Sequence, residues 1–198
     1  MQKKAIFWFR QDLRTYDNSW FISVIEEVWN ILPIFVLDKN LIPEFWWLED
    51  KKFGFLREVL ENLDLELKKI NKGDWLKVFY DFPENIIPKL VQKYDIDYIY
   101  ANKSYSVYWK ARDKNISQIL EKEWKTMFMH PDFLLLEPFE IERRKVFTPF
   151  FKLWQKQLLT KDLTEKIPKK FTQIKIEENY KISDFIKQEK HPYFTLDF

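Results

Sequence analysis

Polar side chains of the kind that bind or catalyse cluster in four places along the chain. Arg10, Gln11, Asp12, Arg14, Asp17 and Asn18 follow one apolar run, and Asp38 closes a second. Asp81 closes a third. Asn102, Lys103, Ser104 and Tyr105 follow a fourth, with Tyr108, Arg112 and Asp113 close behind. Guanidinium groups, carboxylates, a carboxamide and phenols brought together can line a polar cleft with aromatic walls, which suits a flat heterocycle. The same Asp12, Arg14, Arg112 and Asp113 can equally form an ion-pair network that only holds a loop.

Missing motifs narrow the chemistry further. The first cluster contains no glycine, so a dinucleotide pyrophosphate cannot lie against its backbone in the usual way. No P-loop pattern occurs in the chain, which excludes Walker-type nucleotide hydrolysis. With no cysteine, disulfide scaffolds, thiolate metal sites and cysteine nucleophiles are excluded. His130 and His191 are too few and too far apart for a metal site, and His130 reads as an ordinary surface or capping residue. The carboxylate pairs Glu26 and Glu27, and Glu121 and Glu123, fall on predicted helix surfaces and read as solubilising.

The clusters need elements to position them, and the apolar pattern supplies those. Lys4 to Phe9 and Ile31 to Leu37 are short unbroken apolar runs, predicting strands buried on both faces. Asp17, Asn18 and Ser19 are N-cap candidates for a helix through Ile25 and Val28. After a loop with Pro43, the positions Leu56, Val59, Leu60, Leu63, Leu67 and Ile70 recur at helical spacing and predict a helix over about 53–71. Leu76 to Tyr80, Tyr98 to Ala101 and Thr126 to Met129 complete five strands. Between them lie a helix starting at Pro83, where proline suits the first turn, and one from Tyr108 to about Glu123. Pro88 inside the former is a point where it can bend.

Alternating strands and helices with short loops predict an α/β fold, a doubly wound, Rossmann-like five-stranded parallel sheet with helices on both faces. Ligands of such sheets bind outside the carboxyl ends of the strands, where the polar clusters fall. Beyond His130 the pattern breaks, leaving a hairpin candidate at Arg143 to Phe147 and a helix from Pro149 to about Leu159. The domain is expected to span 1–159. Residues 160–198, Lys- and Glu-rich with Pro168 and Pro192, read as an extended C-terminal linker or docking tail.

Composition sets outer bounds. The 33 basic and 31 acidic residues give a net charge of +2, too even to argue for direct nucleic-acid binding. No apolar stretch approaches the roughly 20 residues of a membrane span, and Arg10 interrupts any secretory signal. A cytoplasmic protein with no membrane partner is expected.

The stretches FWFRQDLRTYDN, ILPIFVLD, YANKSYSVYWKARD and KVFTPFFKLW stand in the order seen in DNA photolyases and cryptochromes. Over about 4–158 the chain resembles the N-terminal antenna (photolyase α/β) domain of that family. The resemblance implies a light-harvesting domain for a deazaflavin or folate pigment, which passes excitation to a catalytic flavin that repairs pyrimidine dimers. Arg10, Asp12, Arg14, Asp38, Asn102, Tyr105, Tyr108 and Arg112 are the candidates for the pigment cleft and its supporting network.

In the family the catalytic FAD belongs to a C-terminal helical domain, and this chain is expected to stop before it. The resemblance therefore implies no repair chemistry by these residues alone. Damaged DNA would be met only through the complete enzyme. The other reading is a non-catalytic module that docks on a separate FAD-binding helical subunit. Two departures stand out. The Asn-Glu pair of the folate-type members is Tyr108-Trp109 here, and the Tyr-Gly pair common elsewhere, including in deazaflavin-type members, is broken at Trp109.

That tryptophan belongs to a wider imbalance of 9 Trp against 2 Gly, where roughly 14 glycines are average for the length. Trp8 and Trp154 match family tryptophans. Trp29 and Trp124 fall at predicted helix C′ positions, where glycine is usual. Trp75 follows Asp74 in a turn that suits glycine. The codon UGA is read as glycine in some lineages and as tryptophan in others. Several of Trp20, Trp29, Trp46, Trp47, Trp75, Trp109 and Trp124 are therefore expected to be glycine read with the wrong table.

Overall fold

The computed structural model describes residues 3–42, 51–71, 75–132, 134–161 and 163–177. The loop at Pro43, Trp46 and Trp47, the Asp74 turn residue, His191 and the rest of the tail lie outside them. In chain order the elements are β1 (Lys4–Phe9), α1 (Ser19–Val28), β2 (Asn30–Asp38), α2 (Lys51–Ile70), β3 (Lys77–Asp81) and α3 (Pro83–Tyr94). Then come β4 (Tyr98–Asn102), α4 (Val107–Glu121), β5 (Thr126–His130), α5 (Phe147–Leu158) and β6 (Thr172–Gln173).

The sheet runs β3-β2-β1-β4-β5, with every described pairing parallel. Its winding reverses between β1 and β4, so their carboxyl ends open a crevice. Period-two alternation divides the core between the two faces. Phe7, Phe9, Ile31 and Leu37 meet Phe21 and Ile25 of α1 and Leu60, Leu63 and Leu67 of α2. On the other face Ile6, Trp8, Leu32 and Ile34 meet Ile87 and Leu90 of α3 and Ile116 and Leu120 of α4.

Local signals fix the helix starts. Asn18 caps α1 by accepting from the Phe21 amide at 3.2 Å, and Pro83 occupies the first turn of α3. Pro88 does not interrupt α3, which runs through to Tyr94 with the proline ring buried. No hairpin forms at Arg143 to Phe147. Arg143 to Val146 are exposed coil and Phe147 opens α5, because the segment's two arginines and lysine give it no apolar face to bury.

The stretch after residue 159 is tied to the sheet at several points. Phe171 is buried beside Phe21 and Trp75, and its carbonyl accepts from Asn71 Nδ2 at 2.7 Å. β6 pairs with Asn30 and Ile31 of β2, while β3 takes the same strand only from Ile34 onward. It thus occupies ladder positions that β3 leaves open. Among the described residues no helix is long and apolar enough to cross a membrane.

Among the described residues, backbone strain is concentrated at four non-glycine positions with positive φ, Asp17, Trp29, Asp95 and Trp124. Aspartate tolerates this region through local hydrogen bonding. Tryptophan does not, and the left-handed conformation costs it about 1–2 kcal/mol. Trp20 and Trp75 are packed instead. Trp20 stacks on His130 with centroids 4.6 Å apart, and Trp75 is buried in the core.

Candidate functional site

The loop after β1 is tied down by hydrogen bonds among its polar groups. Asp12 Oδ1 accepts from the Arg10 amide at 3.0 Å, and its Oδ2 accepts from Asn102 Nδ2 at 2.7 Å. Asn18 joins them, donating to Asp12 Oδ2 at 3.2 Å while its own Oδ1 accepts from Asn102 at 3.1 Å. One carboxylate and two carboxamides thereby clamp the ends of β1 and β4 to the start of α1. Glu66 of α2 adds a second tie, accepting from both the amide and the hydroxyl of Thr15.

A chain of charges lies beside this clamp. Tyr108 donates to Asp38 Oδ2 at 2.7 Å, and Arg112 Nη1 donates to the same oxygen at 3.2 Å. Arg112 Nη2 reaches Asp113 Oδ1 at 3.3 Å, and Arg10 Nη1 donates to both Asp113 oxygens at 2.8 Å. Both guanidinium groups are flanked by indoles. The Arg112 Cζ lies 4.5 Å from the Trp8 ring and 4.7 Å from Trp109, and that of Arg10 lies 5.2 Å and 5.3 Å from the same rings.

Burial shifts the titration of these groups. It lowers the Arg10 pKa despite the opposing pull of Asp113, and it raises Tyr108, helped by the hydrogen bond to Asp38. Arg10 Nε and Nη2 and Arg112 Nε find no acceptor among the described residues. The free space beside Arg10, Asp12, Asn102 and Trp109 is about 10 Å³, enough for a water molecule and no more.

A larger opening lies at the ends of β4 and β5. It encloses about 470 Å³ between Lys103, Ser104 and Tyr105, the α4 residues Lys110 and Asp113, and Met129, Glu137 and Phe139. The Tyr105 hydroxyl donates to the buried Glu137 carboxylate, and burial with that bond raises the phenol pKa well above its usual value. Lys103 Nζ stands 4.0 Å from Glu137, and Lys110 Nζ lies 5.9 Å from the Tyr105 ring centre. Two ammonium groups with apolar and aromatic walls suit a ring system that carries negative charge, and the volume falls in the range of small-molecule sites.

The sequence candidates thus divide. Arg10, Asp12, Asp38, Asn102, Tyr108 and Arg112 share one interlocked cluster, while Tyr105 lies in the cavity. Arg14 stands apart, its half-exposed guanidinium paired with Asp132 at 2.8 Å. Sequence reasoning passed over Asp132, Lys110, Glu137 and Phe139. Asp132 was findable, since it follows the end of β5 closely. Glu137 and Phe139 lie in a loop without periodicity, and nothing in their spacing marks them.

The family model for DNA photolyase matches residues 5–170. The chain belongs to the DNA photolyase family. Among its curated relatives it is 26% identical to cryptochrome DASH of Natronomonas pharaonis, over 77% of this chain and 33% of that protein. It is 27% identical to the deoxyribodipyrimidine photo-lyase of Agrobacterium fabrum, over 75% of this chain and 31% of that one. The chain therefore spans about a third of these relatives.

Solved photolyases share the fold. The archaeal photolyase of Sulfolobus tokodaii, solved with two FAD molecules, superposes with a TM-score of 0.79 at 23% identity, over 96% of this chain and 43% of that one. The class III photolyase of Agrobacterium tumefaciens gives 0.77 at 25% identity, over 97% and 40%. The five-stranded parallel α/β sheet is the N-terminal architecture of these photolyases.

Proposed function

We propose that the chain is the light-harvesting domain of a DNA photolyase, holding an antenna pigment at the carboxyl ends of β4 and β5. The observation that supports this is the cavity of about 470 Å³, which lies beside the β1–β4 crevice, on the carboxyl-end side of the sheet where open α/β folds bind their ligands. Lys103 and Lys110 would face the anionic part of the pigment, with Tyr105, Met129 and Phe139 against its rings. A deazaflavin or a folate fits that description, and so does a flavin, since the Sulfolobus relative carries two FAD molecules. When bound, the pigment would supply absorption of near-ultraviolet or blue light, for transfer to the FAD of the complete enzyme. The neighbouring charge cluster keeps the strand ends in place beneath it.

The visible absorption of the protein purified from its own cells tests this reading, followed by titration with a deazaflavin, a folate and FAD. A pigment band, or saturable binding of one of the three, supports it. A colourless protein that binds none removes the antenna role.

A second reading is favoured by α5. None of its residues is buried, and Phe147, Phe151 and Trp154 form a stacked ladder along it. Val146 and Phe147 are largely exposed, an apolar face of the kind that marks an interaction surface. In this reading α5 docks on an FAD-binding helical domain or subunit, and damaged DNA is met only through that complete enzyme. Co-elution with such a subunit supports it, and a persistent monomer in its presence counts against it.

A further inference from the structure

We infer that residues 29 and 124 of the native polypeptide are glycine, each specified by a UGA codon that its own cells read as glycine. Trp124 occupies the left-handed position of a Schellman motif. The Lys125 amide donates to the Leu120 carbonyl at 3.1 Å, and the Trp124 amide donates to Glu121 at 3.1 Å. That pair of bonds closes α4 only when the residue between them has positive φ, and here φ is 58°. Glycine is the usual occupant because any Cβ crowds the following carbonyl.

Trp29 is held more tightly still. It is the single residue between α1 and β2, with φ 62° and ψ −44°, outside the left-handed helical well that non-glycine residues occasionally visit. Its peptide orientation is fixed from outside, since the Thr172 amide of β6 donates to the Trp29 carbonyl at 2.7 Å. Relaxing the backbone there gives up one of the hydrogen bonds that hold β6 to β2.

Neither indole compensates for its backbone. Trp124 is 96% exposed and Trp29 59% exposed, so both leave a large apolar group in water. Gly54 shows the converse. It lies within α2, where a Cβ would meet nothing within 4 Å and nothing requires glycine. The other two described residues at positive φ are Asp17 and Asp95, a type that tolerates the region. A random excess of tryptophan would not settle on the two exposed positions that demand glycine. UGA differs by one base from the glycine codon GGA and by one base from the tryptophan codon UGG, so one reassigned triplet accounts for both positions. Trp20, Trp75 and Trp109 are outside this inference, because their backbones have ordinary φ and their rings pack against neighbours.

The gene sequence and the intact mass of the protein isolated from its own cells provide the test, and neither involves a pigment, so the antenna reading stands or falls separately. The expected result is TGA at codons 29 and 124, with a mass lower than the written chain by at least two tryptophan-to-glycine differences. TGG at these codons, or tryptophan in the native peptides, overturns it. A recombinant series checks the physical basis. Trp29→Gly and Trp124→Gly each raise the Tm by roughly 2–6 °C over the corresponding alanine variants. Alanine and glycine variants that melt alike at both positions also overturn it, since the backbone would then make no demand for glycine.

Discussion

The carboxyl ends of β1 and β2 and those of β4 and β5 are made from similar residues and reach opposite outcomes. At the first pair, Arg10 and Arg112 are paired with Asp113 and Asp38 and covered by Trp8 and Trp109, and the space left between the Arg10 loop and the end of β4 is about 10 Å³. At the second pair, Lys103 and Lys110 stand at the rim of a cavity of about 470 Å³, and Lys103 reaches Glu137 only at 4.0 Å. The difference lies in what each cation can reach. A guanidinium offers several donors in a fixed fork and can be satisfied by fixed carboxylates while its faces stack on rings. An ammonium on a flexible stem remains hydrated and available to an incoming anion. The first region is therefore a brace and the second a receptacle, with Asp113 as their shared wall.

Breaking the brace gives the largest effect. Asp38→Ala leaves the Arg112 guanidinium, 3% exposed, without the carboxylate that accepts its Nη1. Loss of one member of a buried pair costs about 3–5 kcal/mol, read as a fall in the urea midpoint. The double variant Asp38→Leu with Arg112→Met removes both charges together and is expected to recover most of that loss. If the single variant lies within about 0.5 kcal/mol of the parent, these charges are solvated and the region is no brace.

The contrast between brace and receptacle was only half legible in the sequence. The unbroken apolar runs of β1 and β2 and the 3.6-residue pattern of α2 predicted the sheet and its cover, because burial on two faces leaves a compositional mark. The residue types at the strand ends predicted a polar cluster, and both an ion-pair network and a ligand cleft were open readings. Deciding between them needs the distances among Arg10, Arg112 and Asp113, which depend on how α4 sits against β1, across about a hundred residues of chain. The receptacle was harder to find, since Glu137 and Phe139 return to it through an aperiodic loop. Phe171 was lost in a lysine-rich stretch for a related reason. A single buried ring has no period.

Charge reversal in the receptacle is expected to separate it from the brace. Lys110→Glu places a third carboxylate in a cavity already lined by Asp113 and Glu137 and weakens binding of the deazaflavin or folate probe about tenfold, or ~1.4 kcal/mol. Stability should stay within about 0.5 kcal/mol of the parent, since the side chain is exposed. An unchanged dissociation constant would mean that the cavity is not where the probe binds.

Trp109 provides a sharper cut, because it lies over both guanidinium groups and outside the lining of the large cavity. Trp109→Ala removes two cation–π contacts and is expected to cost about 0.5–2 kcal/mol of stability. Probe affinity should change by less than about threefold, a shift below ~0.7 kcal/mol. A large loss of affinity would assign the indole to the receptacle and move the boundary between the two regions.

The smallest expected effect is a pH dependence at the edge they share. His130, at the end of β5, has its pKa lowered from 6.5 by burial, partly offset by Asp132 and Glu137. A lowered folded-state value means that the unfolded chain binds the proton more readily. This contribution to stability is present above pH 6.5 and is lost as the pH falls through the lower folded value. Asp132 runs the other way. Burial raises its pKa from 3.8 against the pull of Arg14, so its contribution is present below pH 3.8 and is lost as the pH rises through the raised value. Urea midpoints of the parent should therefore fall as the pH drops below 6.5, and His130→Gln should flatten that slope while leaving the acid limb intact. Asp132→Asn should do the reverse. If His130→Gln retains the full slope, the Trp20 stack does not hold the imidazole away from water, and the edge of β5 is more open than the brace beside it.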